Sequence, residues 1–297
     1  MLPSLRTPLI GLGNLFGMRD VNAKCEFLAP SGCFKIRGAA HLLDRLRREG
    51  KNPPLIVPSM GNTALGAAVG AQVFGFRMTG VVPESIAKAK DEKLRALGVE
   101  LVKVAGGGSD LLRRATELAK ERNGYFVHPH LDPLWTDGYQ EIAAEILEEI
   151  PDCRSLVFPV GGGGLLMGLL AYLKAHPAPV RLYGCEPFNY PKYAKADHPR
   201  TNTIADGLKL EHPHPSVQQA IAEAGVSISL VSEADIKTAI RDLHETQGLV
   251  VEPSSAITTA FVREHADELE EPICVILTGE NIAREDHARL MAEAASR

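Results

Sequence analysis

SLVFPVGGGGLL (155–166) sets a short apolar, β-prone run directly before four consecutive glycines and an apolar helix start. A run of this length and character suits a strand, and its passage into a helix makes one βα unit of a mainly parallel sheet. The glycines let the backbone wrap closely around an anion. The helix start adds amide groups without acceptors and a partial positive charge. We read Gly161, Gly162, Gly163 and Gly164 as a phosphate cradle. The plainer alternative is a tight turn, but four adjacent glycines carry a large chain-entropy cost for that alone.

The same alternation extends in both directions from this unit. Upstream, PLIVP (54–58), MTGVVP (78–83) and VELVKVA (99–105) read as strands. Helices are expected from Asn62 onward, over Ser85–Leu97 and over Ser109–Arg122, the last capped at Ser109 or Asp110. Residues 137–149 read as helical. Downstream, RLYGCEP (181–187) and ICVILTG (273–279) are strands, and helices are expected over Glu233–His244, Ser254–His265 and Ala283–Ala295. Ser232 caps the first of these, with Asp235 completing a partial capping box. The fold class is α/β: two domains with mainly parallel sheets flanked by helices. Residues 50–130 form the small mobile domain, 1–49 and 131–297 the large one, and a ligand is expected in the crevice between them, at the carboxyl ends of strands.

Composition narrows the partners. The net charge is −5, which offers no basic excess for nucleic acid or an anionic membrane. No apolar run is long enough to span a bilayer, and the first residues lack a signal-peptide core, so a cytoplasmic protein is expected. Five scattered cysteines fit reduced, packed thiols better than a disulfide framework. EHPHP (211–215) reads as a solvated loop rather than a metal site.

Two dinucleotide readings compete for the glycines. At 161, 163 and 166 the third position of a G-x-G-x-x-G fingerprint is Leu166, yet Glu186 stands where a ribose-binding acid would. GLGNLFG (11–17) fails the same fingerprint at Phe16, and no Walker A motif is present. Lys35 in PSGCFKIRGA (30–39) lies between a Pro-Ser-Gly turn and a small-residue helix start, flanked by Phe34 and Ile36. A lysine desolvated in this way has a lowered pKa and becomes an amine nucleophile.

PSGCFKIRGA resembles the Pro-Thr-Gly-Ser-Phe-Lys-x-Arg-Gly-Ala segment of the fold-type II pyridoxal 5'-phosphate (PLP) enzymes, the family of serine/threonine dehydratases, serine racemase, threonine synthase and cysteine synthase. TPL (7–9), SMGNTA (59–64), GYQEIAAEI (138–146), GGGGLL (161–166), GCEP (184–187), TIADGL (203–208), VEPSSA (251–256) and LTGEN (277–281) are similar to further family segments, in order. The resemblance implies PLP as cofactor, carried by Lys35, which also moves the proton at the substrate α-carbon. It implies that Gly161–Gly164 hold the phosphate, which favours PLP over a dinucleotide, and that the large domain binds the cofactor. By the same resemblance Asn62 hydrogen-bonds the ring 3′-oxygen and Thr278 faces the pyridine nitrogen. Ser59, Met60, Gly61, Asn62 and Thr63 bind the carboxylate of a small amino acid. A homodimer is expected.

The pattern is broken at three places. Met60 stands where relatives have Ser or Thr, and where racemases keep a second acid/base; a thioether can do neither. Cys33 replaces a usual Ser. The metal site of dehydratases and racemases pairs the Glu of Glu-Pro with an Asp six residues on; here Glu186 is followed by Lys192, and no metal is expected. FKIRGA and GGGGLL lean towards dehydratases, GNTA and Thr278 towards threonine synthase. The expected activity is elimination of the β-substituent and ammonia from a small hydroxy or β-substituted amino acid. The alternatives are β- or γ-replacement and a catalytically degenerate PLP-binding protein. Effector control through a further domain beyond Arg297 is not expected.

Overall fold

Strands with continuous apolar character fall at the centres of their sheets, and strands that are largely half-buried or exposed fall at the edges. The computed structural model describes residues 5–59, 61–128 and 130–295. They divide into two compact units, one of Leu5 with Ala29–Tyr139 and one of Arg6–Leu28 together with the chain from Gln140 onward.

The second unit opens with β1 (Leu9–Gly11) and β2 (Val21–Cys25). The first unit begins with α1 (Lys35–Arg48), β3 (Leu55–Val57), α2 (Asn62–Phe74) and β4 (Met78–Pro83). It continues through α3 (Lys88–Ala96), β5 (Glu100–Val104), α4 (Gly108–Glu121), β6 (Tyr125–Phe126) and the short α5 (Pro133–Thr136). Its four strands make a parallel sheet in the order β5-β4-β3-β6. Central β3 and β4 are buried throughout, whereas edge strand β5 is partly exposed along its length. The unit carries α1 and α5 in addition to the 50–130 stretch.

Back in the second unit, the chain forms α6 (Gln140–Glu149), β7 (Ser155–Pro159), α7 (Gly164–Ala175), β8 (Arg181–Pro187), α8 (Pro215–Ala224) and β9 (Ser227–Val231). It ends in α9 (Glu233–Gln247), α10 (Pro253–His265), β10 (Ile273–Leu277) and α11 (Arg284–Ala295). The six-stranded sheet runs β1-β2-β10-β7-β8-β9, parallel except for β1 against β2. β10 and β7 are buried at every residue, as interior parallel strands require. Helix α10 is buried from Pro253 to Val262 and packs on β7, β8 and β10. Each large apolar side chain so buried contributes roughly 1.5–3 kcal/mol.

Local expectations hold with shifts at the ends. Ser232 accepts the Asp235 amide and starts α9 as expected. Helix α3 begins three residues later than Ser85, because Ile86 closes a turn on Pro83 and Ala87 is extended. Helix α4 is capped by Gly107 rather than by Ser109 or Asp110: Asp110 sits inside the first turn and accepts the Gly107 amide at 3.2 Å. The EHPHP stretch ends by supplying Pro215 as the first residue of α8, where a missing N–H costs nothing. All five cysteines are buried thiols outside any disulfide.

Candidate active site

In the unit Ala29–Tyr139, the residues before Lys35 form a turn closed by the Gly32 amide on Ala29 O, with Gly32 at φ +69°. The Ser31 hydroxyl donates to Cys33 O at 3.0 Å. Lys35 is the first residue of α1. Its Nζ lies 4.5 Å from the Phe34 ring centroid and 5.5 Å from that of Tyr139. The two rings are 4.8 Å apart and tilted. Tyr139 is fully buried, and its hydroxyl accepts the Trp135 indole N–H. Burial raises the pKa of that hydroxyl well above the usual phenolic value. An apolar wall of aromatic faces thus flanks the amine.

Three glycines allow this corner to close. A Cβ on Gly66 would fall 2.7 Å from the Lys35 carbonyl carbon, one on Gly38 2.7 Å from Trp135, and one on Gly138 2.4 Å from Arg37 O. Helix α2 therefore approaches the first turn of α1 closely. The Cys33 thiol lies 3.7 Å from Asn62 O, which ties the lysine turn to the start of α2. Cys33 is buried and packs here as a small side chain. Gly61 caps α2 and donates its amide to the Ser59 hydroxyl at 3.3 Å. Ser59, Gly61, Asn62 and Thr63 thus lead into a helix N-terminus, whose amides and dipole favour an anion such as a carboxylate. Met60 lies outside the described residues.

In the other unit, β7 passes into Gly161–Gly164 and then α7. Gly163 is left-handed at φ +89°, and a Cβ there would come within 2.5 Å of Val217. A Cβ on Gly161 would press on Gly207 O at 3.3 Å. Among the described residues, no backbone hydrogen bond is donated by the amides of Gly161–Gly164. The Gly207 amide donates to Ser254 Oγ at 3.1 Å, so TIADGL and VEPSSA meet behind the glycines. Thr278 is buried just past β10. The β10–β7 ladder ends where Val275 pairs with Val157, so Thr278 follows three residues on along one of two neighbouring parallel strands and Gly161 four residues on along the other. The glycine amides and the left-handed Gly163 fit a phosphate group, and the neutral Thr278 hydroxyl stands on the neighbouring strand end.

One strand further, Glu186 lies next to the end of β8 and is fully buried. Its Oε1 is 3.1 Å from Lys192 Nζ, and its Oε2 accepts the amides of Lys192, Tyr193 and Ala194 at 2.9–3.1 Å. Burial lowers the Lys192 pKa below the usual lysine value, and the neighbouring Glu186 opposes that shift without cancelling it. A ribose-binding role for Glu186 has no place in this arrangement, because its oxygens are already engaged.

Sequence reading also missed Lys24, Gly66 and the Trp135–Tyr139 pair. Lys24 is fully buried, donates to Thr7 O and pairs with Glu145, joining the TPL and GYQEIAAEI segments. A buried lysine in a strand gives no local signal, since its partner lies 121 residues away.

A parallel α/β sheet with a glycine turn at one strand end and a neutral hydroxyl at the next fits a phosphorylated cofactor. Residues 2–279 match the family described as pyridoxal-phosphate dependent enzyme, and the chain belongs to that family. It is 32% identical over 267 residues to an L-threonine ammonia-lyase of Geobacter sulfurreducens, covering 87% of this chain and 66% of that protein's length. The crystal structure of a T.th. threonine deaminase matches with a TM-score of 0.84 at 31% identity, over 94% of this chain and 93% of that one. The processed form of threonine deaminase isoform 2 from Solanum lycopersicum shares the fold, with a TM-score of 0.89 at 24% identity over 98% and 84% of the two chains.

Proposed function

We propose that this protein is a PLP-dependent ammonia-lyase that removes the β-substituent and ammonia from a small hydroxy or β-substituted amino acid, as a serine/threonine dehydratase does. When bound, the cofactor supplies an electron sink at the substrate α-carbon. Lys35 would carry it and move the α-proton. The amides of Gly161–Gly164 would hold the phosphate. Asn62 would bond the ring oxygen, and the loop 59–63 would orient the substrate carboxylate at the start of α2. Thr278 would serve the pyridine nitrogen with a hydroxyl that cannot protonate it. The products are a 2-keto acid and ammonia.

The observation that carries this reading is the placement of the glycine turn and Thr278 on neighbouring parallel strand ends. A dianion holder beside a neutral ring partner suits elimination better than transamination. The relatives named threonine ammonia-lyase and threonine deaminase support the substrate class. Residues 50–130, which hold all four strands of the smaller sheet, are assigned the role of mobile domain. We further assign the protein to the cytoplasm as a homodimer, a state that sedimentation would check; no helix among the described residues is long and apolar enough to cross a membrane.

The test is a screen of amino acids for keto-acid and ammonia release, with and without thiol or phosphate cosubstrates. Release from serine, threonine or a β-substituted analogue without a cosubstrate is expected. Turnover that appears only with a second nucleophile would favour replacement chemistry instead.

A further inference from the structure

Glu186 gathers an unusual set of donors for one carboxylate. One oxygen holds three successive amides of the segment that follows β8, and the other faces an ammonium from the same segment. Both side chains are 0% exposed. At 3.1 Å the ammonium meets the carboxylate as an ion pair, by charge and proximity, as a bound inorganic cation would. The rest of the segment is fastened around this centre. Arg200 donates to Pro191 O at 2.6 Å and to Glu211 O at 2.7 Å, and the Tyr193 hydroxyl accepts the His214 amide at 3.1 Å. Tyr190 receives Lys192 on its ring at 5.9 Å and Arg200 at 5.7 Å. Without the ammonium, a carboxylate excluded from water would lose the cation that faces it, an unfavourable state that draws in a proton or an external cation.

We propose that Lys192 is a resident cation of this protein: a tethered ammonium that fills the place at Glu186 which a dissociable metal ion would otherwise take, and that holds residues 188–200 at the carboxyl end of β8. Lys192 is a positioning residue. The proposal goes beyond the reaction, because it concerns the cation requirement of the holoprotein whichever amino acid it transforms.

The test compares thermal unfolding of the wild-type holoprotein with Lys192→Ala, Lys192→Met and the double variant Glu186→Gln/Lys192→Met. Each is measured with EDTA, magnesium, potassium, ethylammonium and tetramethylammonium chloride. The wild-type Tm is expected to ignore every addition. Lys192→Ala should lose roughly 5–10 °C, and ethylammonium or magnesium should restore at least half of that saturably, whereas tetramethylammonium should not. Lys192→Met fills the space without charge; it should lose a similar amount and resist rescue. The double variant removes both charges and should unfold closer to wild type than Lys192→Met does. Three results would each overturn the proposal: wild-type stability that falls with EDTA, a Lys192→Ala protein as stable as wild type, or one that no small cation restores. If Lys192→Ala does not fold, the Lys192→Met and double variants decide, and a double variant no more stable than Lys192→Met refutes the pairing.

Discussion

A side-chain carbon on Gly66 would lie 2.8 Å from Cβ of Lys35. Helix α2 is therefore packed on the first turn of α1 at a distance that only glycine permits, and this contact fixes where the Lys35 backbone and Cβ lie. Gly66→Ala must push the lysine or the helix aside. Because a displacement of about 1 Å can cost 10²-fold in rate, kcat should fall roughly 10–100-fold while the folded state survives. Steady-state kinetics beside circular dichroism would check this; unchanged kcat would show that the contact does not set the geometry.

Lys35 itself is tested by trapping. Borohydride treatment of the holoprotein should leave a pyridoxyl mass on the peptide containing Lys35. Lys35→Ala should lose that mass and nearly all turnover. A mass mapped to a different lysine would remove the central assignment.

The glycine turn responds to bulk. Gly163 is left-handed, and Val217 already occupies the direction a side chain would take. Gly163→Val should weaken PLP binding by at least about 10-fold and lower stability by about 1–3 kcal/mol. Gly162→Val should also weaken binding, with the side chain entering the phosphate position. Titration of apoprotein with PLP, followed by absorbance, would measure both. Wild-type affinity in the two variants would contradict the cradle.

Met60 bears on stereochemistry. A positioned acid/base group contributes typically about 10²–10⁴-fold, and a thioether supplies none. Elimination from one enantiomer should therefore exceed inversion of the α-carbon by a wide margin. Chiral analysis of recovered substrate beside keto-acid release gives the ratio. Equal rates in the wild type would mean that some other group protonates the second face.

Features encoded over a few residues were legible before any coordinates. The apolar run into Gly161–Gly164, the Ser232 cap and the helix start after Lys35 each depend on neighbours within a turn or two, where period, entropy and capping act. The same holds for the apolar runs that become β7 and β10. The order of motifs along the chain pointed to the family, and so to the cofactor. Helix ends were less secure: Gly107 took the cap from Ser109 because Asp110 could reach back to its amide.

Other relationships only the tertiary structure decided. Nothing near Gly66 marks it as the residue against which Lys35 rests, nothing near Lys24 announces Glu145, and Tyr139 becomes a wall for Lys35 only when α5 folds against α1. At Lys192 the sequence showed a cation six residues after a glutamate but not whether they meet. Their meeting depends on the segment after β8 turning back on its own strand end. Such contacts join residues far apart in the chain or across a loop. Their energies come from excluding water around charges and from close packing of backbones, and both exist only once the sheets and helices have assembled.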